Sequence, residues 1–207
     1  MRITVINPNS TEAMNQGILN SARRVARRND VLRVVCVEES PALINSAVDE
    51  VNAAYWTLKK AIELSSVTEG YVVACHSDPA VNAIREATGK PVVGIGFASL
   101  NAAAKRKGKA AILAISEQSI PRKEALAKRY GFEGRFDVFA TGYTEEMTEG
   151  QVFTCLSKAI ASAQRMGSYT SFVLGCAGMG CVAPQLRKEL RLAIIDGTEQ
   201  AVLSLGI

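Results

Sequence analysis

Two cysteines stand at matching places in the sequence where proton-transfer chemistry could occur. Cys75 follows the apolar run Tyr71-Val72-Val73-Ala74, and Cys176 follows Phe172-Val173-Leu174-Gly175. A thiol at the end of a buried strand, beside the N-terminus of the next helix, can have a lowered pKa and act as a base. Two such thiols on opposite faces of a substrate suit the inversion of a stereocentre with an acidic C–H, because one removes the proton and the other returns it. They are our candidate catalytic residues.

Both cysteines lie in segments of small polar residues and glycine. In Cys75-His76-Ser77-Asp78-Pro79 we expect Asp78 to cap a helix whose first residue is Pro79. The segment Gly175-Cys176-Ala177-Gly178-Met179-Gly180-Cys181 predicts a glycine-rich turn whose N–H groups approach a ligand closely. These backbone donors would stabilise an enolate without an organic cofactor. Taken singly, either cysteine would more often be a small buried hydrophobic residue.

A third candidate ligand loop follows the first predicted strand. It reads Asn7-Pro8-Asn9-Ser10-Thr11-Glu12, in which Asn9 or Ser10 can cap the following helix. Capping and a turn alone would account for these residue types. The density of polar groups at the end of a strand nevertheless makes the loop a candidate for binding.

Short apolar runs and helical patterns alternate along the chain. The predicted strands are Ile3 to Ile6, Val31 to Val37, Gly70 to Ala74, Pro91 to Gly94, Ala110 to Ile115, Thr170 to Gly175 and Leu192 to Ile195. The clearest helical pattern is one apolar stripe on a long helix, formed by Ile44, Val48, Val51, Tyr55, Leu58 and Ile62. This alternation predicts the α/β class, with parallel sheets covered on both faces by helices.

An internal repeat predicts two similar lobes. The segment that ends in Cys75 matches the segment that ends in Cys176, 101 residues later, and Val93-Gly94-Ile95-Gly96 matches Ile194-Ile195-Asp196-Gly197 at the same offset. We therefore predict two pseudosymmetric α/β lobes, residues 1–96 plus 196–207 and residues 97–195, with the active site in the cleft between them. A chance likeness between short apolar strands is the alternative interpretation.

Composition and charge exclude several classes of protein. Hydrophobic residues make up 48% of the 207 residues and charged residues 21%, which excludes a disordered chain. The formal net charge of +4 is too small for a nucleic-acid-binding footprint. The most basic cluster has no interleaved aromatic residues and predicts one solvated helical flank; it consists of Arg23, Arg24, Arg27 and Arg28. No nucleic-acid partner is expected.

The cysteine and histidine counts, with the absence of a leader or a long apolar run, indicate an unexported protein. Five cysteines are an odd number, which predicts free thiols rather than a disulfide framework. His76 is the only histidine, so we predict no metal site. No run approaches the roughly 18 to 20 apolar residues that cross a bilayer, and Met1 leads directly into a predicted strand. We expect a cytoplasmic protein with no membrane partner.

Four motifs in this order resemble the aspartate/glutamate/hydantoin racemase superfamily, most closely its hydantoin and allantoin racemases. They are Ile6-Asn7-Pro8-Asn9-Ser10-Thr11, Cys75-His76-Ser77-Asp78-Pro79, Pro91-Val92-Val93-Gly94-Ile95-Gly96 and Gly175-Cys176-Ala177-Gly178-Met179. The segment from Ser40 to Asp49 also resembles that branch, so the resemblance covers nearly the whole chain. It implies a cofactor-independent racemase with two catalytic cysteines, a small-molecule substrate and a homo-oligomeric assembly.

Carried over residue by residue, the resemblance makes Cys75 and Cys176 the catalytic pair. The implied substrate contacts are Asn7, Ser77, Ala177 and Gly178, with Ser116 a weaker candidate. Asn9, Ser10 and His76 are further candidates because they lie in the same polar loops. His76 could tune the Cys75 thiolate, contact substrate or form part of the pocket wall. Cys181 lies outside the matched motif and is interpreted as structural.

The substrate expected from the sequence is a 5-substituted hydantoin or an allantoin-like ureide. Glutamate racemases typically have Asn-Thr-Ala after the first cysteine and Thr-His after the second, whereas this chain has His76-Ser77 and Ala177-Gly178. The predicted site loops contain no Arg or Lys to hold the carboxylate of an amino acid. An amino-acid racemase, a cofactor-free decarboxylase and a non-catalytic ligand-binding protein remain the alternatives.

Overall fold

Two parallel four-stranded sheets form the centre of the protein. The computed structural model describes residues 1–206. Its strands are β1 (Arg2–Asn7), β2 (Val31–Cys36), β3 (Gly70–Val73), β4 (Val92–Gly94), β5 (Ala110–Ala114), β6 (Phe136–Ala140), β7 (Ser171–Leu174) and β8 (Ile194–Ile195). One sheet has the order β2-β1-β3-β4 and the other β6-β5-β7-β8, and every pairing is parallel. The predicted α/β fold is confirmed.

Eight helices flank the sheets in the described part of the chain. They are α1 (Asn15–Arg23), α2 (Ala47–Glu63), α3 (Val81–Thr88), α4 (Ile95–Ala104), α5 (Ile120–Arg129), α6 (Glu149–Met166), α7 (Ala183–Leu190) and α8 (Gly197–Leu205). Short 3-10 turns precede α1, α5 and α7 and follow α2. The sheet interiors are apolar, as expected for parallel strands covered on both faces.

The two lobes share one topology. Strands β3 and β7 occupy equivalent positions in the two sheets, as do β4 and β8, and the 101-residue repeat links both pairs. Helices α4 and α8 follow the second pair and pack against each other. The prediction of two lobes is therefore confirmed.

The boundary between the lobes stays a prediction, and the position of α8 supports it. Three residues of this C-terminal helix lie in the core of the first sheet, where they pack with β1 residues such as Ile3 and Val5; they are Ala201, Val202 and Leu205. Within each sheet the carboxyl ends of the parallel strands lie at one edge, and the turns that carry Cys75 and Cys176 follow β3 and β7 at these edges.

Sequence patterns missed one strand and misplaced one helix face. Strand β6 was not predicted, and each of its residues is only partly buried. The apolar stripe of α2 was expected to cover the sheet, but Val48 is 70% exposed and Val51 71%. The residues of α2 that are buried are smaller ones, Ala53, Thr57 and Ala61.

The arginine cluster is also not one solvated helical flank. Helix α1 ends at Arg23. Arg24 instead donates to the buried carboxylates of Asp196 (2.9 Å) and Glu199 (2.6 Å), and also to the carbonyl of Gly180. Arg24 therefore ties α1 to the start of α8, and this ionic contact holds the C-terminal helix on the first lobe.

Candidate active site

A cavity of about 220 Å³ opens between the lobes at the carboxyl ends of the strands. The first lobe supplies the ends of β1 and β3 and the start of α2, and the second supplies the ends of β5 and β7 with residues along the whole of α5. Of the predicted site residues, the lining includes Asn7, Asn9, Cys75, His76, Ser77, Cys176 and Ala177. Both candidate cysteines therefore line one cavity, each from a different lobe.

Burial controls the state of the two thiols. It raises the pKa of Cys75, and it raises the pKa of Cys176 to about 12. The Ser77 hydroxyl lies 3.3 Å from the Cys75 sulfur and lowers its pKa, while the backbone N–H of Gly178 lowers that of Cys176. The lowered pKa that the sequence predicts for Cys75 is thus wrong, because desolvation outweighs these donors.

The end of β1 and the loop after it contribute two buried amides. Asn7 is 1% exposed and donates through Nδ2 to the carbonyl of Thr11 and to Oδ1 of Asn15. Asn9 accepts from the backbone N–H of Thr11 at 3.0 Å and does not cap a helix. Ser10, although predicted to bind substrate, is not among the cavity-lining residues, and its backbone N–H donates to Pro41.

His76 forms part of the wall rather than a partner for a thiol. Its ring is 1% exposed, and Nε2 lies 3.3 Å from the hydroxyl of Ser99 on α4. Burial, followed by the charge of Lys123, holds the pKa of His76 well below its usual value, so the ring is neutral at pH 7. Of the roles considered from the sequence, this position favours the pocket wall.

The remaining predicted residues divide between the cavity and its supports. Ser116 does not line the cavity, whereas its neighbours Ile115 and Ser119 do. Gly178 is also outside the lining, and a Cβ there would overlap the Tyr143 hydroxyl. Gly178 therefore permits Tyr143 to pack closely against the turn that carries Cys176.

Asp78 caps a different helix from the one predicted. It has a positive φ of 54°, and α3 begins only at Val81. Its carboxylate accepts from the N–H groups of Gly96 (2.7 Å) and Phe97 (2.6 Å) at the start of α4, and from the Tyr130 hydroxyl (2.7 Å) of the second lobe. Helix α3 therefore begins six residues after Cys75, and Asp78 instead joins the two lobes beside the cavity.

The Asp78 clamp predicts a pH-dependent stability. Burial raises the pKa of Asp78 to about 6, despite the hydrogen bonds from Tyr130, Phe97 and Gly96. Between about pH 4 and pH 6 the unfolded chain releases this proton and the folded chain retains it, so stability falls as the pH rises. The full effect is roughly 3 kcal/mol. We expect Asp78→Asn, which tolerates positive φ, to flatten this part of the profile in urea unfolding; an unchanged slope would contradict the account.

The sequence did not predict the charged side chains of the cavity. Its lining also contains three basic and two acidic residues, Arg122, Lys123, Arg129, Glu50 and Glu145. The expectation that the site has no Arg or Lys is therefore wrong, because α5 of the second lobe brings them from outside the recognised loops. Arg122 pairs with Glu50 at 3.3 Å, and Arg129 donates to the carbonyl of Ser77. Lys123 donates to the carbonyl of Gly175 at 2.9 Å.

Residues 1–206 contain neither a cluster of metal-ligating side chains nor a membrane-spanning helix. This part of the chain holds no group of three His, Cys, Asp or Glu side chains placed to bind a metal ion. Nor does any described helix have the length and apolar character to cross a membrane. All five cysteines are free thiols.

Comparison with known proteins shows similarity along the whole described chain. The model of the Asp/Glu/hydantoin racemase family matches residues 3–205. A hydantoin racemase from Pseudomonas sp. (strain NS671) is 32% identical, with 98% of this chain and 83% of that protein covered. A hydantoin racemase from Paenarthrobacter aurescens is 29% identical, with 97% and 88% covered.

Solved structures give the same result. An allantoin racemase from Klebsiella pneumoniae superposes with a TM-score of 0.94 at 29% identity, and covers 100% of this chain and 86% of that chain. The two-lobed fold, the shared cavity and these matches confirm the resemblance seen in the motifs. The chain belongs to the Asp/Glu/hydantoin racemase family.

Proposed function

We propose that Cys75 and Cys176 are the two acid–base groups of a cofactor-independent racemase. The chain is an isomerase of the hydantoin/allantoin racemase type, as the family match and its relatives support. The observation that carries the assignment of these residues is that two thiols from equivalent strand ends line one cavity. In this scheme one thiolate removes the proton, and the thiol on the opposite face returns it.

The proposed substrate is a neutral cyclic ureide, a 5-substituted hydantoin or an allantoin-like compound. The names of the relatives support this class. The charge of the cavity also supports a neutral substrate. Three basic and two acidic side chains line the cavity, so one thiolate would bring the net charge of the lining to zero. A cavity in charge balance favours a neutral ring over a free amino acid, whose carboxylate would need a further unpaired cation.

Asn7, Asn9, Ser77 and Ala177 are the substrate contacts that we retain. Each lines the cavity together with the thiols. Ser10, Ser116 and Gly178 are outside the lining, and we assign them to supporting the loops instead. The backbone N–H groups of the two cysteine turns are the donors proposed to stabilise the enolate.

Proton NMR in deuterium oxide tests this function. One enantiomer each of a 5-alkyl hydantoin, allantoin, aspartate and glutamate is incubated with the protein, and loss of the α-proton is followed together with optical rotation. After subtraction of spontaneous exchange, we expect enzyme-dependent loss with racemisation for a cyclic ureide. Exchange only with an amino acid would overturn the substrate class, and saturable binding without exchange would overturn the racemase mechanism.

We also propose that the protein is a homo-oligomer that uses the exposed face of α2 against a second copy. This face carries apolar side chains that a monomer seldom exposes together; they are Val48, Val51, Tyr55 and Ile62. We expect sedimentation velocity to show a dimer or larger species that Val51→Glu dissociates. A wild-type monomer at micromolar concentration would contradict the proposal.

The proposed location is the cytoplasm, which five free cysteines support.

A further inference from the structure

Lys123 is a basic group near both thiols that lacks a carboxylate partner. Its ammonium donates to the carbonyl of Gly175, the residue before Cys176. The ion pairs found in residues 1–206 do not include it. The Lys123 ammonium is partly buried, and a nearby negative charge would offset the cost of removing it from water. The negative charge that balances Lys123 must therefore come from a group outside these ion pairs.

Four acidic groups act on Lys123, and two of them are already engaged. They are Cys75, Cys176, Asp78 and Glu50. Glu50 pairs with Arg122, and Asp78 accepts three hydrogen bonds from α4 and Tyr130. Glu145 also lines the cavity, but its charge raises the pKa of Cys176 and is not among those that act on Lys123. The two thiols are therefore the groups whose ionisation would balance the lysine.

The electrostatic effects in the cavity are mutual. Burial lowers the pKa of Lys123, and the thiolates of Cys75 and Cys176 raise it. Burial raises the pKa of both thiols, and the charge of Lys123 lowers both. Each thiol therefore ionises more easily because this lysine is charged.

We propose that the Lys123 ammonium is the fixed counter-charge for whichever of the two thiols is ionised. This inference rests on the proposed two-thiol racemisation. One thiolate takes the proton from the substrate carbon, and the electron pair of the broken C–H bond moves onto the enolate oxygen. The other thiol then returns a proton to the opposite face and becomes the thiolate. The negative charge crosses the cavity while the charge of Lys123 stays in place.

This role differs from that of a substrate-binding group. Lys123 acts through the thiols, so it is a positioning residue for their charge. Because it acts on both sulfurs, its loss is expected to affect the two directions of racemisation alike. A lysine that held a substrate carboxylate would instead change KM for anionic substrates.

The test is the alkylation of each thiol in the full-length protein without substrate. Lys123→Gln removes the charge and keeps a hydrogen-bond donor. The rate of iodoacetamide modification at Cys75 and Cys176 is followed between pH 6 and 10 by peptide mass spectrometry. We expect both profiles to shift to higher pH by about one unit or more, which lowers each rate about tenfold on the rising limb.

Two controls accompany this experiment. Lys128→Gln removes an exposed lysine of the same helix, one that pairs with Glu133, and should leave both profiles unchanged. Cys155 is the internal control, because its thiol donates to the carbonyl of Thr141 and Lys123 is not among the groups that shift its pKa. Its alkylation rate should be the same in every variant.

The counter-charge proposal would be overturned if the pH profile of alkylation at Cys75 or Cys176 were the same in Lys123→Gln as in the wild-type protein. If Lys123→Gln does not fold, Lys123→Arg is the variant to test, because it keeps the charge. The alkylation rates of both thiols should then stay within about threefold of the wild-type rates. A tenfold loss at both thiols would overturn the proposal. Where the enzyme racemises, Lys123→Gln should also move the kcat/KM profile equally for both enantiomers. If Lys123→Gln shifts the alkylation profiles of both thiols but the wild-type protein catalyses no α-proton exchange, the proposed function is contradicted and the counter-charge proposal is not.

Discussion

Replacing Cys75 with alanine, and separately Cys176, is expected to lower kcat for racemisation by roughly a thousandfold. Either change removes one of the two groups that must exchange the proton across the substrate plane. KM should change little, because the remaining lining, including Asn7 and Ser77, still forms the cavity. Chiral chromatography of a hydantoin, with initial rates from each pure enantiomer, measures the loss.

Cys155→Ala and Cys181→Ala are the matched controls for this prediction. Cys155 donates to the carbonyl of Thr141 and Cys181 to that of Gly178, and neither lines the cavity. Both variants should racemise at close to the wild-type rate. Racemisation at close to the wild-type rate in Cys75→Ala would exclude the two-thiol scheme and favour chemistry that needs one cysteine.

Gly175→Ala is expected to have the second largest effect. The backbone N–H of Gly175 donates to the carbonyl of Leu113 at 2.9 Å, and a Cβ on Gly175 would overlap the same carbonyl oxygen. Because the obstacle is backbone of the adjacent strand, no rotation of a side chain can relieve it. The end of β7 must move, and with it Cys176 and the carbonyl that Lys123 holds. Overpacking of this kind costs about 1 to 3 kcal/mol.

Two measurements separate the effects of this glycine. Urea unfolding should show the loss of stability, and kcat should fall about a hundredfold through misplacement of the thiol. Gly150→Ala is the control, since a Cβ there contacts nothing within 4 Å and the residue lies in α6. It should stabilise the protein by roughly 0.5 to 1 kcal/mol. A Gly175→Ala protein with wild-type stability and activity would contradict the close approach.

The sequence contained the signals that place the two cysteines. The 101-residue offset holds from β3 to β7 and from β4 to β8, and the ends of β3 and β7 lie beside the cavity. The first strands of the sheets, β1 and β5, begin 108 residues apart at Arg2 and Ala110, so this offset does not reveal their equivalence. Internal repeats of short strands are visible only where the intervening loops keep their length.

The charged half of the site could not be predicted in the same way. Lys123 follows no strand end directly; it lies in the first turns of α5, and only tertiary packing brings it to the thiols. Its pattern along the sequence is that of any solvated helix residue. Asp78 was misassigned for a related reason: its sequence neighbours predict a local cap, whereas its real partners lie at Gly96, Phe97 and Tyr130.

The stripe on α2 shows the limit of periodicity as a guide to burial. Its spacing correctly indicated a helix, which spans Ala47–Glu63 with a capping box at Ser46. The side that faces the protein is the one with Ala53, Thr57 and Ala61, because small residues let the helix pack closely. Periodicity identifies an apolar face, but it does not say whether the same chain or a second copy covers that face.

Deuterium exchange by the single-thiol variants tests the central claim most directly. Each pure enantiomer of a 5-alkyl hydantoin is incubated in deuterium oxide with Cys75→Ala or Cys176→Ala, and loss of the C5 proton is followed by NMR, corrected for spontaneous exchange. If the thiols face opposite sides of the substrate, each variant should exchange only one enantiomer, with retention, and the two variants should prefer opposite enantiomers. Exchange of the same enantiomer by both variants, or of both enantiomers by one variant, would contradict two thiols acting across one cavity.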